Sequence, residues 1–218
     1  APELLARAEA PSAAGPPLVV LGRDSRPSGA MLADAVRAGL LSVGCRVLDL
    51  GIVATPTAGI MVVQRRAAAG MVVTASHNPA PWNGLKCLDS RGVAPSRADA
   101  EALIAAFHAR RIGYAAVGSI PAAEHDDSGH RVHVDRVVPL VDVAAIRAAG
   151  FTVVLDSVHG AGGAAGRMLL EELGCRIVHL GAEPHGRFQH PPEPVREHLG
   201  ALCEAVRREG AAVGFAQD

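Results

Sequence analysis

The segment from Thr74 to Lys86 reads TASHNPAPWNGLK and holds both asparagines of the chain, Asn78 and Asn83, its only tryptophan, Trp82, and its only lysine, Lys86. Every other residue in the Lys-plus-Arg total of 21 is arginine, so arginine serves wherever a fixed positive charge is enough. A lone lysine near a serine hydroxyl points to work that guanidinium cannot do. An ammonium can lose its proton when buried or set near other cations, and so can give or take one, whereas guanidinium stays charged. Ser76 ends an apolar run, Met71 to Ala75, and precedes His77-Asn78-Pro79. That order puts a hydroxyl on a tight turn at the carboxyl edge of a strand, a position suited to a nucleophile. Asn-Pro and Asn-Gly are also strong turn formers, and a purely structural turn is the other reading of the same residues.

Two chemistries compete for such a serine. A hydrolase is disfavoured, because no GxSxG elbow surrounds Ser76 and an adjacent His77 cannot easily reach back to act as its base. Phosphoryl transfer mainly needs positioned positive charge around a phosphate. The run GRDSRPSG, Gly22 to Gly29, offers Arg23 and Arg26 on a turn leading into a helix N-terminus; pairing of Arg23 with a carboxylate is the plainer use of that residue. Gly160, Gly162, Gly163 and Gly166 could be read as a dinucleotide turn, but their spacing departs from G-x-G-x-x-G and no acid follows at the expected distance. His179, His185, His190 and His198 form a loose group whose spacing matches no zinc template. Cys45, Cys87, Cys175 and Cys203 contain no CxxC pair and read as reduced, packed thiols.

The elements that must carry these residues alternate strand and helix. After an Ala- and Pro-rich opening, Ala1 to Pro17, that reads as a helix remnant plus linker, a strand is expected at Leu18 to Leu21. A helix follows, capped by Ser28, with Leu32, Val36, Leu40 and Val43 on one face, then a strand from Arg46 to Leu50. Thr55 and Pro56 announce a second helix that Gly70 should end before the strand Met71 to Ala75. Leu85 to Leu88 is another strand, and Ser96 with Asp99 forms a capping box for a helix ending near Arg111. Gly118 to Arg131 is polar and irregular, and a helical stretch broken at Pro139 leads to Gly150. A second region then begins with a strand at Thr152 to Leu155, a helix ending near Leu173 and a strand from Arg176 to Leu180. A helix carrying Val195, Leu199, Leu202 and Val206 and a strand from Ala211 to Ala216 complete it. The segments VVLGRDSRPSG and GCRVLDLG are answered by VVLDSVHGAGG and GCRIVHLG, which points to an internal repeat. The expected fold class is therefore α/β, with two similar mixed-sheet α/β domains, residues 1–131 and 132–218.

With 49% hydrophobic and 20% charged residues over 218, the chain can build a substantial core. A formal net charge of −1 gives no basic field for a nucleic-acid backbone. The apolar runs fall far short of the ~20 residues that cross a bilayer. A soluble, cytoplasmic protein with neither nucleic acid nor membrane as partner is expected.

The motif TASHNP followed by NGxK resembles the active-serine loop of the α-D-phosphohexomutases, the phosphoglucomutases, phosphomannomutases and phosphoglucosamine mutases. GRDSRPSG, VVLDSVHGAGG, EPHGRF at Glu183 to Phe188, and the closing GFAQD resemble that family in the same order, across nearly the whole chain. The resemblance implies phosphohexomutase domain I and part of domain II. It implies a resting phosphate on Ser76, transfer through a sugar 1,6-bisphosphate, Lys86 as general acid/base, His77 beside the nucleophile and Arg23 supporting the phosphate. It also implies a magnesium ion held by Ser76 and by a D-x-D-x-D-R loop whose first aspartate is matched by Asp218, and a hexose phosphate, with glucosamine phosphate favoured, as substrate. The rest of that loop is missing, so the chain is expected to be a fragment, inactive by itself. A non-catalytic α/β binding module derived from the family is the alternative.

Overall fold

The computed structural model of the protein describes residues 15–110 and 112–218. Most of the expected opening helix remnant, and Arg111, lie outside them. Strands β1 (Leu18–Arg23), β2 (Arg46–Ile52), β3 (Ala69–Val73), β4 (Leu85–Leu88) and β5 (Ala123–His125) form one sheet in the order β4-β3-β1-β2-β5. All its pairings are parallel except that of β3 with β4. The central strand β1 has Val19, Val20 and Leu21 almost wholly buried, as a parallel strand covered on both faces must. One face packs α1 (Gly29–Ser42) through Ala33 and Leu40; the other packs α2 (Thr55–Gln64) through Ala58, Met61 and Val62. The helix α3 (Arg97–Ala109) starts where expected, the Ser96 side chain accepting a hydrogen bond from the Asp99 amide.

Helices α4 (Gly129–Val137) and α5 (Val143–Ala149), separated by a 3-10 turn at Val138–Leu140, lead to the second sheet. Arg131, where the sequence reading divides the chain, lies within α4. In the second sheet β6 (Thr152–Asp156) runs between β7 (Arg176–Leu180) and β8 (Val213–Ala216), all parallel. It packs α6 (Gly163–Glu172) through Leu170 and α7 (Gly200–Glu209) through Leu202 and Ala205.

The internal repeat has a backbone counterpart. Gly44 and Gly174 precede β2 and β7 with φ of +83° and +71°, and Gly51 and Gly181 close them at +65° and +56°. The hydrogen bond from the Cys45 amide to the Leu40 carbonyl is matched by that from Cys175 to Leu170, each 3.0 Å. Left-handed backbone at these positions is cheap only for glycine, which is why GCR recurs.

Three local readings change. Gly70 does not end α2, which stops at Gln64; it lies inside β3, where a Cβ would approach the Val62 Cγ2 to 2.6 Å, so the glycine serves helix–sheet packing. The polar stretch before α4 contains β5, whose three residues are all exposed; an edge strand without an apolar face carries no periodic signal. Ser28 precedes α1, but its side chain makes no capping bond and accepts one from Asn83 Nδ2 instead.

Candidate functional site

Ser76 stands three residues beyond β3, exposed, with a φ of +54°. Left-handed backbone at a non-glycine residue costs of order 1 kcal/mol or more and persists only where its surroundings impose it. Here they are identifiable. The Ser76 amide donates to Thr74 Oγ1 at 3.0 Å, and the Thr74 hydroxyl donates to Asp24 Oδ2 at 2.7 Å. The Ser76 carbonyl accepts from Arg26 Nη2 at 2.7 Å.

Arg26 is the hub beneath the loop. Only 1% exposed, it donates from Nε to Asp24 Oδ2 (2.9 Å), from Nη1 to the carbonyls of Pro79 (2.8 Å) and Trp82 (3.0 Å), and from Nη2 to those of Ser76 and Asn78 (2.7 Å each). A guanidinium has five N–H donors in a rigid fork, and each is matched. Asp24 neutralises the buried charge and also receives the Arg26 amide at 3.0 Å. The Asn78 side chain closes the turn onto the Ala75 carbonyl at 2.8 Å, and Thr74 and Gly84 join across its base at 3.0 Å.

This arrangement corrects one reading of the GRDSRPSG run: Arg26 has no donor left for a phosphate, because one is taken by Asp24 and four by carbonyls of the serine loop. Arg23 is half-buried and donates from Nη1 to the Asp24 carbonyl at 3.2 Å. The Asp24-x-Arg26 spacing was the available signal for the clip, since an aspartate side chain commonly binds backbone two residues on.

Between the two sheets lies a cleft of about 350 Å³. From the first domain Asp24, Thr74, Ser76 and Lys86 line it; from the second, Gly160, Gly162, Phe188, Gln217 and Asp218 do. Lys86 reaches it from β4, where it pairs with Val72 across the antiparallel ladder. The structure thus brings Asp218, distant in sequence, to the same cleft as Ser76 and Lys86. His77, exposed next to the serine, and Arg23 are not among the lining residues.

The second wall has its own polar support. Asp156, 1% exposed at the end of β6, accepts from the Val158 amide at 3.0 Å and meets His190 Nε2 at 3.0 Å. Ser157 donates to Gln217 Oε1 at 2.6 Å and lies 2.8 Å from His179 Nε2, so the ring nitrogen is the donor there. Burial, and then the nearby Arg167 charge, push the His179 pKa down, which keeps the ring neutral for that bond. Gln217 Nε2 also donates to the Gly162 carbonyl at 3.2 Å, so the residue before Asp218 is pinned on both sides. Ser157 and Gln217 lie within the VVLDSVHGAGG and GFAQD segments, but sequence reasoning gave neither a role, because their bond joins positions 60 residues apart.

Ser76 and Asp218 are hard oxygen donors on one cleft, the chemistry magnesium prefers. The described residues hold no group of three or more His, Cys, Asp or Glu side chains able to bind a metal. The histidines are otherwise engaged: His159 stacks on His185 with ring centroids 4.0 Å apart, and His190 lies 6.4 Å from His198. Cys45, Cys87, Cys175 and Cys203 are all free thiols. No helix among the described residues is long and apolar enough to cross a membrane.

Both domains have counterparts among known proteins. Residues 4–112 match the model of the phosphoglucomutase/phosphomannomutase alpha/beta/alpha domain I, and residues 131–218 that of domain II. A phosphoglucomutase/phosphomannomutase of Thermococcus kodakarensis is 40% identical over 204 residues, covering 93% of this chain and 44% of the relative. A phosphoglucosamine mutase of Cereibacter sphaeroides is also 40% identical, over 95% of this chain and 46% of its own length. The crystal structure of a phosphoglucomutase/phosphomannomutase family protein from Burkholderia thailandensis superposes with a TM-score of 0.82 at 28% identity, over 98% of this chain and 45% of that one. The chain thus spans a little under half the length of these relatives, and across that span its two α/β domains and their motifs make it a member of the phosphoglucomutase/phosphomannomutase family, the α-D-phosphohexomutases.

Proposed function

We propose that this chain carries the nucleophile-bearing part of a phosphohexomutase site, one that moves phosphate between C1 and C6 of a hexose phosphate through phosphorylated Ser76 and a sugar 1,6-bisphosphate. The observation that carries this reading is the convergence of Ser76, Lys86 and Asp218 on one cleft, with Ser76 held in a strained conformation by buried partners. In the forward step the Ser76 Oγ–phosphorus bond breaks as a sugar hydroxyl oxygen bonds to phosphorus. Lys86 takes the hydroxyl proton, and a proton returns to the serine oxygen. After the bisphosphate turns round, Ser76 attacks the other phosphate and the same transfers run in reverse. Ser76 and Asp218 are this chain's oxygen donors for a magnesium ion, which when bound would offset the charge of the moving phosphoryl group. From the family motif, His77 is assigned a place beside the nucleophile and Arg23 is assigned to support the phosphate. Glucosamine phosphate is the substrate we favour, since the DSVHGAGG turn and GFAQD ending are most like the phosphoglucosamine branch; with the sugar-reading part of the relatives outside this span, the assignment rests on those turns.

The test is direct. The purified chain, incubated with magnesium and a hexose 1,6-bisphosphate, is analysed by intact mass and phosphopeptide mapping. One phosphoryl group on Ser76, absent from Ser76→Ala, is expected. An unmodified Ser76 in the chain and in any longer product of its gene would overturn the reading and favour a non-catalytic module.

A further inference from the structure

The serine loop is tied to the second domain through one buried side chain. The guanidinium of Arg26, with its donors used under the loop, has its face covered by Phe188, whose ring centroid lies 5.2 Å from Cζ. Cation and ring attract one another most where water is excluded. Phe188 ends a segment of the second domain that is seated on the Asp24–Arg26 turn. Gly186 there has a φ of +68°, and a Cβ would come within 2.2 Å of the Ser25 carbonyl oxygen and 2.8 Å of the Arg26 Cα. The segment is in turn anchored to its own domain: the Gly186 amide donates to the His159 carbonyl at 3.1 Å, and His159 Nδ1 bonds to the Glu183 carbonyl at 2.9 Å.

We infer that Arg26 is a positioning residue for Ser76, and that the second domain, through Gly186 and Phe188, sets the order of the serine loop by holding Arg26 in place. The inference rests on the reading of Ser76 as phosphate carrier and adds a coupling to it: the nucleophile is correctly presented only while the two domains are docked. Such a coupling ties presentation of the serine hydroxyl to formation of the cleft.

Trp82, the only tryptophan of the chain, has its carbonyl on Arg26, so its fluorescence anisotropy reports loop order with no reference to phosphoryl chemistry. The experiment measures that anisotropy, the single-turnover rate of Ser76 phosphorylation by a hexose 1,6-bisphosphate, and the concentration that half-saturates it, in the parent, Arg26→Lys, Gly186→Ala and the double variant. Transfer breaks the bisphosphate's P–O bond, forms that to Ser76 Oγ, and moves the serine proton to the released sugar oxygen. Arg26→Lys, which keeps the charge and loses the fork, should lower anisotropy and slow phosphorylation about a hundredfold, with half-saturation little changed. Gly186→Ala should do the same about tenfold in the parent and nothing further in Arg26→Lys, the non-additivity of a shared path. Parent-like anisotropy and rate in Arg26→Lys, or fully additive effects in the double variant, overturn the inference. Should Gly186→Ala lose its far-UV dichroism, Phe188→Leu takes its place in the cycle. If neither the parent chain nor a longer product of its gene takes up phosphate, the functional reading fails and the Trp82 signals alone decide the inference.

Discussion

At the scale of single residues the site separates two cations by what each can do. Arg26 is a fixed fork whose value is geometric, while Lys86 is a compact charge that can pass a proton. Lys86→Arg should therefore keep the electrostatic pull on a phosphoryl group and lose proton transfer, slowing Ser76 phosphorylation by about a hundredfold or more; rapid-quench labelling at several pH values checks it, and a parent-like rate would remove Lys86 from that role. Asp24→Asn attacks the clip from its other side. It leaves the buried Arg26 charge without its counter-ion, a loss that typically costs about 3 kcal/mol or more. Urea titration should show that loss together with freer Trp82 fluorescence.

At the scale of elements, close approach decides several glycines that propensity alone would misjudge. Gly59 lies inside α2, where alanine favours a helix by about 1 kcal/mol. Yet a Cβ at Gly59 would lie 2.4 Å from the Gly92 carbonyl oxygen, and Gly92 itself has a φ of +75°. Backbone cannot give way as a side-chain tip can, so Gly59→Ala should destabilise the chain by a net ~1–3 kcal/mol. A chemical denaturation midpoint shifted upward would contradict this. The same physics separates Gly70, which admits Val62 against β3, from the helix terminator that the sequence suggested.

At the scale of the whole molecule, α4 is the seam between the domains. It packs on α2 of the first and on α6 of the second, with Arg131 Nη1 bonded to Glu172 at 2.9 Å. Two of its histidines are drawn into the interior: His133 Nδ1 lies 2.8 Å from Thr57 Oγ1, and His130 Nδ1 is buried without a partner among the described residues. Burial lowers both pKa values below 6.5, with His130 adding to the effect on His133. The unfolded chain therefore binds more protons as pH falls from about 6.5 through the lower folded values, and stability present above that window is lost within it. Thermal midpoints should be level near neutral pH and drop as pH falls toward 5. A His130→Gln, His133→Gln double variant should show a flatter profile, and an unchanged slope would assign the acid sensitivity elsewhere.

The alternation of strands and helices, the paired GCR turns and the TASHNP…NGLK loop were legible from sequence because each depends on local physics: periodic apolar faces, glycine's access to positive φ, and turn chemistry over a few residues. Ser76 and Lys86 stood out for the same reason, as rare residue types concentrated on one loop. The exposed strand β5 was not legible, since it has no apolar face, and neither was the role of Gly70, which depends on what packs opposite. Tertiary structure alone decided that Arg26 serves the loop and not a phosphate, and that Asp218, Gln217 and Phe188 share a cleft with a serine more than a hundred residues away. A buried guanidinium takes its role from whichever acceptors surround it, and the carbonyls that surround Arg26 lie 50 to 56 residues further along the chain, brought beside it only when the first domain folds.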